Sequence, residues 1–303
     1  MEMNLKSPRF LRVNQYEIPV FNDEKKKVTV GCVGDFHISK ITSEKQKAFL
    51  KRGFETVRPD VILVHGDLVD SPEYLEDEKI VRELEKELKI CAGFAPTLIT
   101  LGNHDQITSS GRRDLPKIPE GIVEKFEKIF ERVNVKLLKD EWFEFKDLRV
   151  FGFLQGPECS RKNGKAAENY SEMERKIKKL FKDRKLETKP GKANWFFSHA
   201  PLQDLVYLKE LRGFEVFSFG HMHGGCVPIG VDKVVDKIGW NGGIVSPHKG
   251  LLPKKQTRGI EILPNRARVV VNTGMVAISD VGPKALQYVN ALKAAEVTGV
   301  IIC

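Results

Sequence analysis

Short apolar runs alternate along this chain with longer segments in which apolar residues return every three or four positions. Val28–Val33 is a short apolar run that stops at Gly34, which predicts a buried strand. Residues 43–57 then place Ala48, Phe49, Phe54 and Val57 at helical spacing, with Pro59 just beyond the stop. Val61–Val64 is a second strand. Residues 73–90 form a strongly charged helix with an apolar stripe at Ile80, Leu84 and Leu88. Residues 97–101 are a third strand, and 121–133 a helix with Val123, Phe126, Ile129 and Phe130 on one face. This strand–helix succession favours helices packed over a mostly parallel sheet.

Beyond Lys136 the pattern changes. Residues 142–145 and 149–153 read as a hairpin around Lys146-Asp147, and 171–185 as a basic helix. Strands come next at 195–197 and 216–219, with a helix expected at 202–212 between them. Further strands are expected at 259–263 and 268–272, and a helix at 284–293. The apolar residues 297–301 suit an edge strand or a segment packed on the core. Sequence alone suggests one domain over 1–303, with a basic insertion or lid at about 158–192 and a β-rich part from about 240.

The candidate chemistry sits at the strand ends. Six of the seven histidines lie in Gly34-Asp35-Phe36-His37, His65-Gly66-Asp67-Leu68-Val69-Asp70, Gly102-Asn103-His104-Asp105, Ser198-His199-Ala200-Pro201 and Gly220-His221-Met222-His223. In α/β folds, ligands bind beyond the carboxyl ends of strands. Asp35 and His37, like His221 and His223, are two residues apart and share one side of an extended segment. Asp67 offers two oxygens able to bridge cations, and Asn103 an amide oxygen. A mixed nitrogen and oxygen donor set without thiolate suits Mn²⁺, Fe, Zn²⁺ or Co²⁺, with Mn²⁺ favoured. Two such cations about 3.5 to 4 Å apart can share a hydroxide for in-line attack on phosphorus. His104 is the expected proton donor to the leaving group, Asp105 its orienting carboxylate, and Asp70 a partner of a metal-bound histidine.

With these blocks read in order, the chain resembles the calcineurin-like metallophosphoesterases. Their pattern is Asp-x-His, Gly-Asp-x-x-Asp, Gly-Asn-His-Asp/Glu, a lone His and Gly-His-x-His, and all five blocks occur between residues 34 and 223. The resemblance implies a four-layer α/β/β/α sandwich of two mixed sheets flanked by helices. It implies that Asp35, His37 and His223 hold one metal, that Asp67 bridges, and that Asn103, His199 and His221 hold the other. His104 matches the position of the family's acid or phosphate contact. The Gly224-Gly225 pair is similar to a bacterial subgroup of membrane-associated phosphodiesterases and UDP-diacylglucosamine pyrophosphatases, which usually carry Gln where this chain has Cys226.

The remaining composition narrows the setting. Net charge is +9, and residues 158–192 hold twelve Lys/Arg against six Asp/Glu. This suits a phosphate-ester substrate and allows nucleic acid, so a nuclease or cyclic-nucleotide phosphodiesterase is the alternative enzyme. A catalytically silent metal-binding scaffold is the alternative from another class, although the ligand set is complete. Five cysteines without a CxxC pair read as reduced thiols. No apolar stretch reaches the roughly 18 residues of a membrane span and no secretory signal is evident, so the expectation is a cytoplasmic protein. His65 reads equally as a partner of a ligand or as a buried, hydrogen-bonded histidine. His248, Lys249, Lys254, Arg112 and Arg113 are candidates for the substrate pocket or for exposed loops.

Overall fold

The computed structural model describes residues 10–18, 20, 27–39, 44–108, 118–162, 165–166, 169–221, 259–262, 268–271 and 294–302. Strands β1 (Phe10–Ile18), β2 (Val28–Val33), β3 (Val61–Val64), β4 (Thr97–Ile99), β5 (Lys136–Leu137) and β14 (Ala294–Ile302) form a first sheet in the order β1-β14-β2-β3-β4-β5. The second sheet contains β6 (Glu141–Phe145), β7 (Leu148–Gly152), β10 (Ala193–Ser198), β11 (Val216–Phe219), β12 (Gly259–Ile262) and β13 (Arg268–Val271), in the order β12-β13-β11-β10-β7-β6. A small hairpin joins β8 (Arg161–Lys162) to β9 (Lys165–Ala166). Both sheets are mixed: β2 to β5 run parallel while β14 opposes β2, and β7, β10, β11 and β13 run parallel while β6 and β12 oppose their neighbours.

Period-two alternation with both faces apolar builds the layers. Val30, Cys32, Val61 and Leu63 of the first sheet meet Leu148, Val150, Trp195 and Phe197 of the second in a central core. The alternate residues Val33, Ile62 and Val64 face outward and are covered by α1 (Glu44–Val57), α2 (Glu78–Phe94) and, after the one-turn α3 (Asn103–Gln106), α4 (Ile122–Val133). On the other side, Phe151, Phe196 and Phe217 are covered by α5 (Tyr170–Lys182), through Met173, Ile177 and Leu180, and by the 202–214 segment. The result is the expected α/β/β/α sandwich. Much of the basic stretch is therefore part of a layer, since α5 closes the outer core of the second sheet.

Two expectations need correction in detail, and a third is narrowed to one of its alternatives. The helix expected at 73–90 is a 3-10 turn, Pro72–Glu76, followed by α2, because the Asp77 side chain accepts the Lys79 N–H at 2.9 Å and starts a new helix. The helix expected at 202–212 is two 3-10 turns, Gln203–Tyr207 and Lys209–Leu211, interrupted where Leu208 is extended (φ −57°, ψ 138°). The C-terminal apolar run is an interior strand of the first sheet, held by burial of Val300 and Ile302 in the central core. The edge is taken by β1, whose Gln15 and Glu17 are exposed and whose Ile18 is buried. The helix expected at 284–293, and most of the β-rich part expected from about 240, lie outside the described residues. No helix among the described residues is long and apolar enough to cross a membrane.

Candidate metal centre

Parallel strands carry their C-terminal ends to one rim. Strands β2, β3 and β4 of the first sheet lead to the Asp35-His37, Asp67 and Asn103-His104 loops, and β10 and β11 of the second lead to His199 and His221. The loops turn sharply at the residues that carry the chemistry. Asp35 (φ 53°), His37 (φ 45°), Asp67 (φ 50°) and His221 (φ 68°) all adopt left-handed backbone conformations. Such residues are uncommon and cost on the order of 1 to 3 kcal/mol each, so their concentration here marks a functional constraint. Hydrogen bonds fix them: Asp35 N–H donates to Gly66 O at 2.9 Å, His37 N–H to Asp67 O at 2.9 Å, and His221 N–H to Asp35 Oδ1 at 3.0 Å. Gly102 lies so close to Asp67 that a Cβ there would sit 2.1 Å from Asp67 Oδ1.

One donor group joins residues of both sheets. His199 Nε2 lies 3.0 Å from Asn103 Oδ1, 3.1 Å from His221 Nδ1 and 3.3 Å from Asp67 Oδ2. His199 Nδ1 donates to the His65 carbonyl, so in the neutral ring Nε2 is a lone pair. Lone pairs of a carboxylate, an amide and an imidazole thus converge on it. Asp67, His199 and His221 each bring a ligating atom within 4.8 Å of the others, a group that could hold a cation.

Another group comprises His37, Asp67 and His104, whose ligating atoms also lie within 4.8 Å of one another. His37 Nδ1 and Asp70 Oδ1 are 2.9 Å apart, which leaves Nε2 directed elsewhere, 3.7 Å from Asp67 Oδ2. That Asp67 oxygen therefore lies within 3.7 Å of two imidazole nitrogens, is buried, and makes no well-formed hydrogen bond among the described residues. Its partner, Oδ1, accepts the His104 N–H at 2.9 Å. An ionised, buried oxygen flanked by two ring nitrogens is what a bridging ligand requires.

Electrostatics at the site favour positive charge. Burial opposes ionisation of Asp67, yet His199, His104 and His37 hold its carboxyl well below the ordinary range. Burial would depress His37, but Asp70, Asp67 and Asp35 raise it to about 9. His199, opposed in the same way by burial, is raised to about 9 by Asp67, Asp35 and the His65 carbonyl. Burial raises Asp35 to about 6 although three histidines pull it down. His104 is shifted the other way, lowered chiefly by burial, with Asp67 opposing.

Six of the seven expected ligands are thus gathered at one rim, and the seventh, His223, lies outside the described residues. Outside them too are Cys226, His248, Lys249, Lys254, Arg112 and Arg113. Asp70 holds a candidate ligand, His37, as anticipated. Asp105 does not orient His104. Both its oxygens are taken by backbone amides, Gly102 at 2.8 Å, Leu68 at 2.8 Å and Val69 at 3.2 Å, so it ties the Asp67 loop to the Asn103 loop. The His104 ring is held instead by the Asp70 carbonyl, which accepts from Nδ1 at 2.9 Å. His65 combines both of its readings. Its ring is buried, neutral and lowered to about 3 by burial, bridging Val33 O and Ser218 Oγ, while its carbonyl orients His199. These carbonyl contacts carry no side-chain signature in sequence.

No curated protein matches the chain. Among solved structures, it is similar to a purple acid phosphatase from yellow lupin (Lupinus luteus) seeds, at 11% identity and a TM-score of 0.43, over 91% of this chain and 54% of that one. It is also similar to a dimetal phosphatase from Danio rerio, at 12% identity and a TM-score of 0.42, over 82% and 88% of the two chains. A Pseudomonas putida nuclease aligns at 12% identity and a TM-score of 0.35, over 84% of this chain and 78% of its own. The calcineurin-like phosphoesterase model matches residues 28–225, the stretch that holds both sheets' site-bearing strands and every motif described above. The chain belongs to the calcineurin-like phosphoesterase family.

Proposed function

We propose that this protein is a metal-dependent phosphoric ester hydrolase acting on a phosphodiester, phosphomonoester or pyrophosphate bond. The observation that carries this reading is the placement of Asp67 Oδ2, buried and without a well-formed hydrogen bond among the described residues, 3.7 Å from His37 Nε2 and 3.3 Å from His199 Nε2. Asp35, His37 and His223 would hold one divalent cation, Asn103, His199 and His221 the other, and Asp67 both. Such a pair supplies a water of lowered pKa and neutralises charge on the phosphoryl oxygens. The chain's own residues do the rest. Asp70 and the His65 carbonyl fix the ring orientations of His37 and His199. The Asp70 carbonyl holds His104 by Nδ1, leaving Nε2 to contact the substrate phosphate or to pass a proton to the leaving oxygen. Burial of Asp35, His37, Asp67 and His199 keeps bulk water from competing for the donors. Mn²⁺ is the cation expected to support turnover best.

The test is hydrolysis of a chromogenic phosphodiester with added Mn²⁺. Asp67→Asn and His104→Ala should each lower kcat by at least about 100-fold, in the range of a lost acid or electrostatic contribution. Full activity in both variants would end the proposal. The +9 charge and the basic 158–192 segment favour a nucleic-acid substrate as a second reading. It predicts affinity falling steeply with salt, whereas a small ester responds mildly.

A further inference from the structure

Asn103 and His199 bring donor atoms to 3.0 Å of each other although they leave different sheets, β4 of the first and β10 of the second. The His65 carbonyl holds His199 and Asp105 ties the Asn103 loop to the Asp67 loop, but neither bond runs from one of these two loops to the other. A third loop joins them, the one after β7, through Gln155. Its side-chain Oε1 accepts the N–H of Ala200, the residue after His199, at 2.6 Å. Its backbone carbonyl accepts Gln106 Nε2 at 2.7 Å, and the same Gln106 nitrogen donates at 3.1 Å to the carbonyl of Gly102, the residue before Asn103. Three hydrogen bonds therefore run from one ligand's neighbour to the other's, through two side chains that are 1% and 2% exposed.

We propose that Gln106 and Gln155 are positioning residues that hold the Asn103 and His199 loops in register for a shared cation. This rests on the two-metal reading above. The strut is a poor way merely to fill space. Gln106 Oε1 is buried without a hydrogen bond among the described residues, a standing cost. Among the described residues, Gln155 Nε2 meets only the weak acceptor Met173 Sδ of α5, at 3.4 Å. Apolar side chains of similar volume would avoid both defects. What they could not supply is a directed link between two strand ends in separate sheets, and the accuracy with which ligands are held governs metal affinity. Met173 also ties α5, within the basic segment, to this strut.

The test is Co²⁺ titration of chelator-stripped full-length protein, followed by calorimetry and visible absorption. Gln155→Leu should weaken the second Co²⁺ by about tenfold or more and alter its absorption band, while the first binds within about twofold of wild type. Gln106→Leu, which leaves the Ala200 bond intact, should do the same more mildly. Gln155→Glu, which keeps an acceptor for Ala200 N–H, should recover the second site. Glu215→Ala removes a 2.7 Å bond to Asn194 N near the opposite end of β10, so it should lower thermal stability and leave both affinities unchanged. Unchanged binding of both ions by Gln155→Leu and Gln106→Leu would overturn the inference, as would a Glu215→Ala variant that weakens the second ion equally. Wild-type protein that takes up fewer than two Co²⁺ would instead overturn the two-metal reading, and this inference with it.

Discussion

His37 Nδ1 and Asp70 Oδ1 lie 2.9 Å apart, and neither side chain is more than 3% exposed. Their pairing fixes the tautomer of His37 and directs Nε2 toward Asp67. Asp70→Ala should therefore weaken the first cation by about 10- to 100-fold, the usual effect of removing a carboxylate behind a ligating histidine. Calorimetric titration with Mn²⁺ checks this. Asp70→Asn, which keeps an acceptor oxygen, should lie between the variant and wild type.

Asp105 is predicted to act on stability. Its carboxylate accepts three backbone N–H groups that have no route to solvent. Asp105→Ala should cost roughly 3 kcal/mol or more, because it leaves buried donors unsatisfied. Urea denaturation should show the midpoint falling. The pH dependence of turnover should keep its shape, since the His104 ring is held by the Asp70 carbonyl.

Gly102→Ala tests the closeness of the loops. The added methyl would sit 2.1 Å from Asp67 Oδ1 and 2.5 Å from Asp67 N, so the Asp67 loop must shift. A loss of about 1 to 3 kcal/mol is expected from such overpacking, together with weaker uptake of both cations, since both share Asp67. Gly93→Ala, whose Cβ meets nothing within 4 Å, is the matched control and should leave metal uptake unchanged.

Protons and cations should compete at the site. His37 and His199 are each raised from 6.5 to about 9, so chelator-stripped protein holds them protonated at neutral pH. Cation uptake at pH 7.5 should release protons, seen as a binding enthalpy that varies with buffer, and apparent affinity should rise with pH up to about 9. For the stripped protein, the stability these imidazoles contribute is fully present below 6.5 and is lost as pH rises through about 9. Thermal melts across that window should show the decline, and Mn²⁺ should remove it.

The strands, the helices of the first half and the ligand loops were legible because each reports itself locally. An unbroken apolar run such as Val61–Val64 specifies a strand buried on both faces, and the His and Asp residues after it have no other common purpose. What was not legible depends on distant partners. The interior place of β14 depends on pairing with β1 and β2, elements near the other end of the sequence. A mixture of charged and apolar residues in β1 is what a half-solvated edge looks like, and it carries little signal. The role of Asp105 was misread because adjacency to His104 suggested a partner, whereas a helical turn at Asn103–Gln106 directs the carboxylate back to the amides of Gly102, Leu68 and Val69. Gln106 and Gln155 belong to no motif, and only the meeting of three loops gives them meaning.

Crystals soaked in Mn²⁺ and measured at the manganese absorption edge address the shared-carboxylate arrangement most directly. Two anomalous peaks about 3.5 to 4 Å apart are predicted, one on the His37 side of Asp67 and one on the His199 side. A single peak, or peaks beyond about 2.6 Å from every oxygen of Asp67, would contradict it.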